Sequence, residues 1–424
     1  MKTTEHTGML KKALLISIFL PGYLSVSQAQ TGLTLQQALH TAQKNNPFLK
    51  PEQLNTNIAQ SDVITAGLRP NISLNNQTLQ LMNDKYFATG TQFQSPHNRQ
   101  VWWQVTKPFQ LANQRKYKQE VAIKNVAVTE KNYAGTELSV LLETGNKWLD
   151  VWYNKVNLDL VEKAKGNIDS LVTTQLIRLK NQVISESDLA RTQLLAEQYQ
   201  LQLQQAVQSY QSEAQHLQLL TGNPDTVAID TEDPVITLSI TEQLDSLLNL
   251  SYQQRPDIQV AQNTIEAAKS NIKLQRALAI PVPEMGVIYN PQNTVPYFGF
   301  FGTIDLPFFS RNQGEIKKSK FLLQQSEQSF SAVKQQIKTD VQTAFSAYLV
   351  NKEAIRKYSG ILGKSTQVLT SVKYAYARGG TTIIDFLEAQ RTWFDTRKMY
   401  YTALYDYRKS YLQLLYVTGL INQL

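Results

Sequence analysis

The sequence predicts a mainly α-helical fold with a smaller β part, and it predicts that fold twice over. Three observations lead there. The fourteen prolines leave two stretches of more than a hundred residues free, Pro108 to Pro224 and Pro307 to Leu424. Since proline breaks helix interiors, these are the places where very long helices can form. A segment "LQLLTG" ending at Gly222 returns as "LQLLYVTG" ending at Gly419, an offset of 197. Ahead of each proline-free stretch lie two segments of about ten residues that read as strands.

The first element is an export signal. Lys11 and Lys12 precede the apolar run "ALLISIFLPGYLSVSQAQ", which closes on Ser27-x-Ala29. A basic start, an apolar core too short to span a bilayer and a small-x-small end predict a signal peptide over 1–29. These residues carry three lysines and one glutamate, so the net charge of +8 falls to +6 from residue 30 onward. Lys and Arg are scattered rather than clustered, which reads as a solvated basic surface and gives no nucleic-acid partner. No cysteine is present, which excludes disulfides, thiolate zinc sites and thiol catalysis.

Next comes a helix at about 34–68, matched in the second half at about 241–279. Strands follow at about 70–81 and 98–108, and again at about 282–290 and 297–308. Lengths near ten residues suit membrane-barrel strands, and the aromatics of "QVWWQVTKPF" and "PYFGFFGTIDLPFF" suit interface girdles. The alternation is imperfect, because Ile72 and Leu74 are out of phase with Leu79 and Leu81. A soluble sheet gives similar patterns. Four strands cannot close a barrel, and open edges are not tolerated in lipid, so a membrane reading demands several copies.

After each strand pair the pattern turns helical. Val333, Ile337, Val341, Phe345 and Tyr348 follow steps of three and four, as do Leu203, Val207, Tyr210, Ala214 and Leu217. The second series is close to a 3.5-residue period, which favours helices winding round one another. At offset 197, Val207, Tyr210, Ala214 and Leu217 fall on Leu404, Tyr407, Tyr411 and Leu414. Upstream the repeat slips slightly: "KPFQLANQRK" resembles "LPFFSRNQGE" at offset 199, and Pro47 falls on Pro256. The predicted organisation is a first repeat over 30–222, a linker over 223–240 and a second repeat over 241–424.

Each repeat contains a helical hairpin with a tight tip, at about 179–185 and 378–382. Gly379 and Gly380 end one helix, since glycine takes the left-handed cap conformation at low cost. Thr382 and Asp385 then have the spacing of a capping box that starts the next, as do Ser185 and Asp188 in the first repeat. The first copy has no glycine at Asn181–Val183, and its tip is expected to bend differently.

Together these features resemble the TolC family of outer-membrane channel proteins. The resemblance rests on the signal, the duplicated element order, "FFGTIDLPFFSRNQGEIKKSK" and, most specifically, the G-x-x-x-x-D-[FLV]-L-x-A-Q pattern at Gly380–Gln390. It covers about Leu33 to Gly419, and the pattern is similar to the heavy-metal efflux branch somewhat more than to the drug branch. It implies a homotrimer in the outer membrane of a Gram-negative bacterium. Four strands per subunit would form one twelve-stranded β-barrel, and the helices a long periplasmic coiled-coil barrel. The chain would serve as the passive exit duct of a tripartite efflux or type I secretion system. The hairpin tips would meet a periplasmic adaptor (membrane fusion) protein linked to an inner-membrane pump of the RND type. On that basis Ser185, Asp188, Leu189, Gly379, Gly380, Thr382, Asp385 and Phe386 are the candidate adaptor-contacting or gate residues. For each of them local capping or packing is the competing explanation.

No enzyme motif stands against this. The histidines are isolated, and no cofactor, metal or catalytic set is expected. "GILGKST" at Gly360–Thr366 misses the phosphate-loop pattern, since position 358 is Tyr358 rather than glycine. The alternative reading is a periplasmic coiled-coil scaffold with a soluble sheet.

Overall fold

The computed structural model describes residues 32–223, 228–241, 243–291 and 295–424. The expected signal peptide lies outside them. The chain runs α1 (Leu35–Asn45), α2 (Leu49–Gly67), β1 (Ser73–Gln80), β2 (Arg99–Pro108), α3 (Gln114–Lys180) and α4 (Glu186–Thr221). It then runs α5 (Leu244–Gln254), α6 (Pro256–Leu278), β3 (Glu284–Asn290), β4 (Tyr297–Thr303), α7 (Gln313–Ala377) and α8 (Ile383–Thr418).

Two differences from the sequence reading have one cause. The segments 34–68 and 241–279 are not single helices: each breaks at a proline, into α1 and α2 at Pro47 and into α5 and α6 at Pro256. The residue before a proline is pushed out of the helical region. Asn46 (ψ 125°) and Arg255 (ψ 128°) are accordingly extended. Both breaks receive the end of another helix. The Asn46 side chain donates to the Leu220 carbonyl at 2.8 Å, bringing the end of α4 against the end of α1. In the second half the end of α8 meets the end of α5, where Gly419 sits against Gln254 and Arg255. The last strand also stops at Thr303 rather than 308, because its partner strand begins opposite it at Glu284.

The long helices α3 (67 residues) and α7 (65 residues) each extend for roughly 100 Å. Both open on an asparagine in the left-handed conformation, Asn113 (φ 60°) and Asn312 (φ 58°), at the repeat offset of 199. Asn312 donates to the Gln275 carbonyl of α6 at 2.8 Å. Gln114 donates to Ala277 and Ile280 at the end of the same helix. The shorter helices line up beside these two. Near the strands, α2 packs on α3, α3 on α6 and α6 on α7; further away, α4 packs on α3, α3 on α8 and α8 on α7.

Two apolar cores hold the helices. The larger surrounds the joints and includes Trp148, Trp152, Leu217, Leu247, Ile337, Val341, Tyr411 and Leu414. The heptad positions read from the sequence therefore point inward. Trp148 is fully buried and its indole N–H donates to the Leu33 carbonyl. Trp152 does the same to Thr231. The second core, nearer the hairpin tips, joins Leu160, Ile168, Tyr199, Phe386, Trp393 and Phe394.

The strands form one antiparallel sheet in the order β1-β2-β3-β4. Residues 81–98 connect β1 to β2 at the end away from the helices. Asn98, 1% exposed, organises that connection: its side chain bonds Ala88, Thr91 and Gln92. Among the described residues no helix is long and apolar enough to cross a membrane.

Gly222 tests the joint. It has φ +62°, and a Cβ there would lie 2.5 Å from the Asn45 carbonyl oxygen. Gly222→Ala combines left-handed strain with a backbone clash and is expected to cost about 2–4 kcal/mol. A lowered denaturant midpoint with unchanged slope is the expected result.

Candidate functional site

Two places have the features of a functional site: the sheet and the hairpin tips. In the sheet, period-2 alternation and the register sort the side chains into two unlike faces. Leu74, Val105, Val287 and Phe300 form one cross-strand row, and Trp103, Tyr289 and Phe298 form the next. This face is apolar and unprotected: Phe300 is 83% exposed and Leu74 66%. The other face is more polar but mixed: Asn75, Gln77, Gln104, Thr106, Glu284, Asn290 and Thr303 share it with Trp102, Ile288, Tyr297 and Phe301. Adjacent rows on one face are ~7 Å apart, so the apolar band from Met285 to Val101 stands ~20 Å tall along the strands. That is close to the height expected of a lipid-facing barrel band. The phase break in β1 has a place too: Leu79 falls on the polar face, at the end nearest the 81–98 connection.

The sheet has two unpaired edges, β1 and β4, and the helix layer has the same two. Near the strands the helices follow the order α2, α3, α6, α7, and each adjoins the corresponding strand in sequence. The free flanks keep apolar residues in the open. Leu54, Ile58, Ile64 and Leu68 are exposed on or just after α2, and Phe321, Leu322, Val350, Ile361 and Val368 on α7.

At the tips both sequence-predicted capping boxes form. Ser185 Oγ accepts from the Asp188 N–H at 3.2 Å, and the Asp188 carboxylate accepts from the Ser185 N–H. Thr382 and Asp385 repeat the arrangement. Asp385 also accepts from the Thr381 and Thr382 hydroxyls, both at 2.7 Å. These hydroxyl bonds, with the Thr382 N–H, hold its carboxyl below the usual aspartate range.

The expectation of a different first tip is overturned. Gly380 N–H donates to Ala375 and Val183 N–H to Arg178, the same closure in both hairpins. The residue that must be left-handed is Gly379 (φ 77°) in one and Gln182 (φ 57°) in the other, at offset 197. The shared geometry wins over the glutamine's preference at a cost of about 1–2 kcal/mol.

The eight candidates divide by burial. Ser185, Gly379, Gly380, Thr382 and Asp385 are exposed at the turns and Asp188 is half-buried, whereas Leu189 and Phe386 face inward. Phe386 has a defined partner: its ring stacks on Tyr376, centroids 5.3 Å apart. Tyr376 in turn accepts from the Gln175 side chain at 2.7 Å and lies 4.9 Å beneath the Arg178 guanidinium. Gln175 and Arg178 belong to the first hairpin and Tyr376 to the second. This tie between hairpins escapes sequence reasoning, because nothing in the sequence couples residues 201 apart. Outside it, Val183 and Ile384 are exposed apolar residues at the outermost positions.

The family profile described as "Outer membrane efflux protein" matches residues 247–420. Outer membrane protein TolC of Vibrio cholerae is 22% identical over 325 residues, covering 72% of this chain and 73% of that protein. Solved structures share the fold of this chain. A membrane protein from Pseudomonas aeruginosa superposes with a TM-score of 0.77 at 16% identity, covering 91% of this chain and 92% of that one. The Campylobacter jejuni CmeC outer membrane channel gives 0.76 at 15%, covering 91% and 85%. The open state of the Neisseria gonorrhoeae MtrE outer membrane channel gives 0.75 at 18%, covering 92% and 90%.

Two outcomes are expected at the tips. Gln182→Gly relieves the left-handed strain and stabilises the first tip by about 1 kcal/mol, read as slower amide exchange at 179–186. The Asp385 cap depends on pH with a fixed sign. Its folded-state pKa lies below its unfolded value, so its contribution is complete at neutral pH. It declines as pH falls through the ordinary aspartate range and is lost below the folded pKa. Tip amide protection factors should fall on that descent in the wild type, and the fall should be blunted in Asp385→Asn.

Proposed function

We propose that three copies of this chain assemble into an outer-membrane exit duct for an efflux system. The observation behind this reading is the shared order of sheet and helices, both left open on the same two sides. In lipid an open strand edge leaves backbone groups unsatisfied, so β4 of one copy must pair with β1 of the next. The same contact brings exposed apolar residues of α7 against those of α2, and away from the sheet against Leu194 and Leu201 of α4. Such a head-to-tail contact closes into a ring. Two copies would give eight strands, whose interior side chains fill. Three give twelve and leave a bore lined by the polar face, while the Trp103–Tyr289–Phe298 face meets lipid.

The helices then form a periplasmic tube whose far end is the ring of hairpin tips. In this reading the two repeats, 30–222 and 241–424, are quasi-equivalent staves joined by 223–240, delivered by the signal peptide 1–29. The duct performs no covalent chemistry. Solutes pass from an inner-membrane pump of the RND type through a periplasmic adaptor that docks on the tips. Exposed Val183, Gly379, Gly380, Thr382 and Ile384, with half-buried Ile184, are the residues offered to that adaptor. The Gln175–Tyr376 bond and the Arg178 contact tie the two hairpins of one copy together, and loosening them widens the entrance.

Single-channel recording of the detergent-extracted trimer tests the reading. The Gln175→Ala/Tyr376→Phe double variant should conduct severalfold more than wild type, with trimer content unchanged. A processed protein that is monomeric and water-soluble would instead support a periplasmic scaffold. Cysteines at Thr381 and Ile184 should crosslink to an adaptor in intact cells, and a working pump with no such crosslink would remove the tips from the docking surface.

A further inference from the structure

Where the lipid-facing surface ends, the chain gathers positive charge around a cavity of about 330 Å3. Arg69, Lys107, Phe109, Arg115 and Lys116 line it, and no carboxylate does. Three neighbouring stretches deliver them: the ends of α2 and β2 and the first turn of α3. Arg69 lies just beyond α2, and Lys107 is near the end of β2. Phe109 follows that strand, and Arg115 and Lys116 sit in the first turn of α3. Lys107 has the same parity as Trp103 and Val105, so it continues the apolar face downward by one row. Its ammonium lies 5.6 Å from the Phe109 ring, itself 41% exposed. Arg115 is steadied by a bond to the Gly67 carbonyl at 3.2 Å. The first turn of α3 contains no acidic residue, so nothing there offsets the positive end of the helix.

The duplication supplies an internal comparison. At offset 199, Lys107, Arg115 and Lys116 correspond to Leu306, Gly314 and Glu315. The second repeat makes the same strand-to-helix joint without these charges, so the fold does not require them.

We propose that this cavity binds the phosphodiester headgroup of an anionic phospholipid, in the leaflet that faces the helices. The proposal rests on the exit-duct reading, which sets the apolar sheet face in the bilayer. The acyl chains then run along Trp103 and Val105 while the headgroup sits among four cations over the Phe109 ring. Interfacial lysine and arginine attract anionic lipid, each by a modest increment, and a walled cavity gathers the increments at one point.

Native mass spectrometry of the intact trimer, titrated with phosphatidylglycerol and separately with phosphatidylcholine, tests this. The wild type should retain phosphatidylglycerol in preference, at up to three tight sites per trimer. Lys107→Gln/Lys116→Gln should weaken that retention roughly 10- to 30-fold and leave phosphatidylcholine unchanged. Lys107→Arg/Lys116→Arg should restore it. The spectra report trimer content directly, so misassembly is visible, and the arginine pair keeps the test decisive if the glutamine pair fails to assemble. Equal retention of both lipids, or no effect of the glutamine pair in an intact trimer, overturns the proposal. Displacement of the lipid by an equal concentration of inorganic phosphate also overturns it, by assigning the cavity to a soluble anion. Conductance of the same variants in neutral lipid separates the two readings. A conducting trimer without lipid preference leaves the duct standing, whereas a non-conducting wild type removes the duct itself.

Discussion

Hydrogen-bonding capacity at the two edges of the sheet is the constraint on which this architecture depends. Within one copy, β1 and β4 each leave a row of backbone groups unpaired, next to a surface of phenylalanine, tryptophan and leucine. Water can satisfy those groups but would meet a large apolar face; lipid suits the face but cannot satisfy the groups. In the proposed assembly, further copies resolve both demands. The helices repeat the situation without the lipid, because α2 and α7 leave apolar residues bare on the same two flanks. In that assembly one chain is a wedge of wall, and its folding energetics are coupled to its assembly energetics.

Duplication makes such a wedge economical to encode. The joint between short helices is built twice, by Asn45–Asn46 against the end of α4 and by Gln254–Arg255 against the end of α8. The long helices start twice from a left-handed asparagine, and the tips close twice by the same bonds. Where the copies differ, the difference sits on the surface of a shared geometry: glutamine against glycine at the tip, three cations against leucine, glycine and glutamate at the strand-to-helix joint. Common backbone requirements are met by whatever side chain tolerates them, and the variable positions remain open to function.

Much of this could be read from the residues. Proline spacing located α3 and α7, the steps of three and four located their buried faces, and the Ser185–Asp188 and Thr382–Asp385 pairs marked helix starts to the residue. These signals are local, so one sequence suffices. Pro47 and Pro256 were equally visible, yet the helical pattern on either side masked the breaks they impose. The bend at Gln182 is not legible in the sequence, because hydrogen-bond closure outweighs the glutamine's own backbone preference. The bond from Gln175 to Tyr376 had no local signal at all. Which strand face is apolar became clear only from register, since Leu74 and Leu79 lie on opposite sides of the same strand.

The connection between β1 and β2 has a consequence of its own. It lies at the end of the sheet farthest from the helices, so in an assembled duct it is the part of the chain presented to the outside world. Its eighteen residues hang on one buried amide, that of Asn98, which gathers Ala88, Thr91 and Gln92 around it. Exchange of the exposed residues around that amide would change the outer surface of such a duct without altering the strand pairing or the helices. Asn98 is the fixed peg on which such a changeable coat can hang.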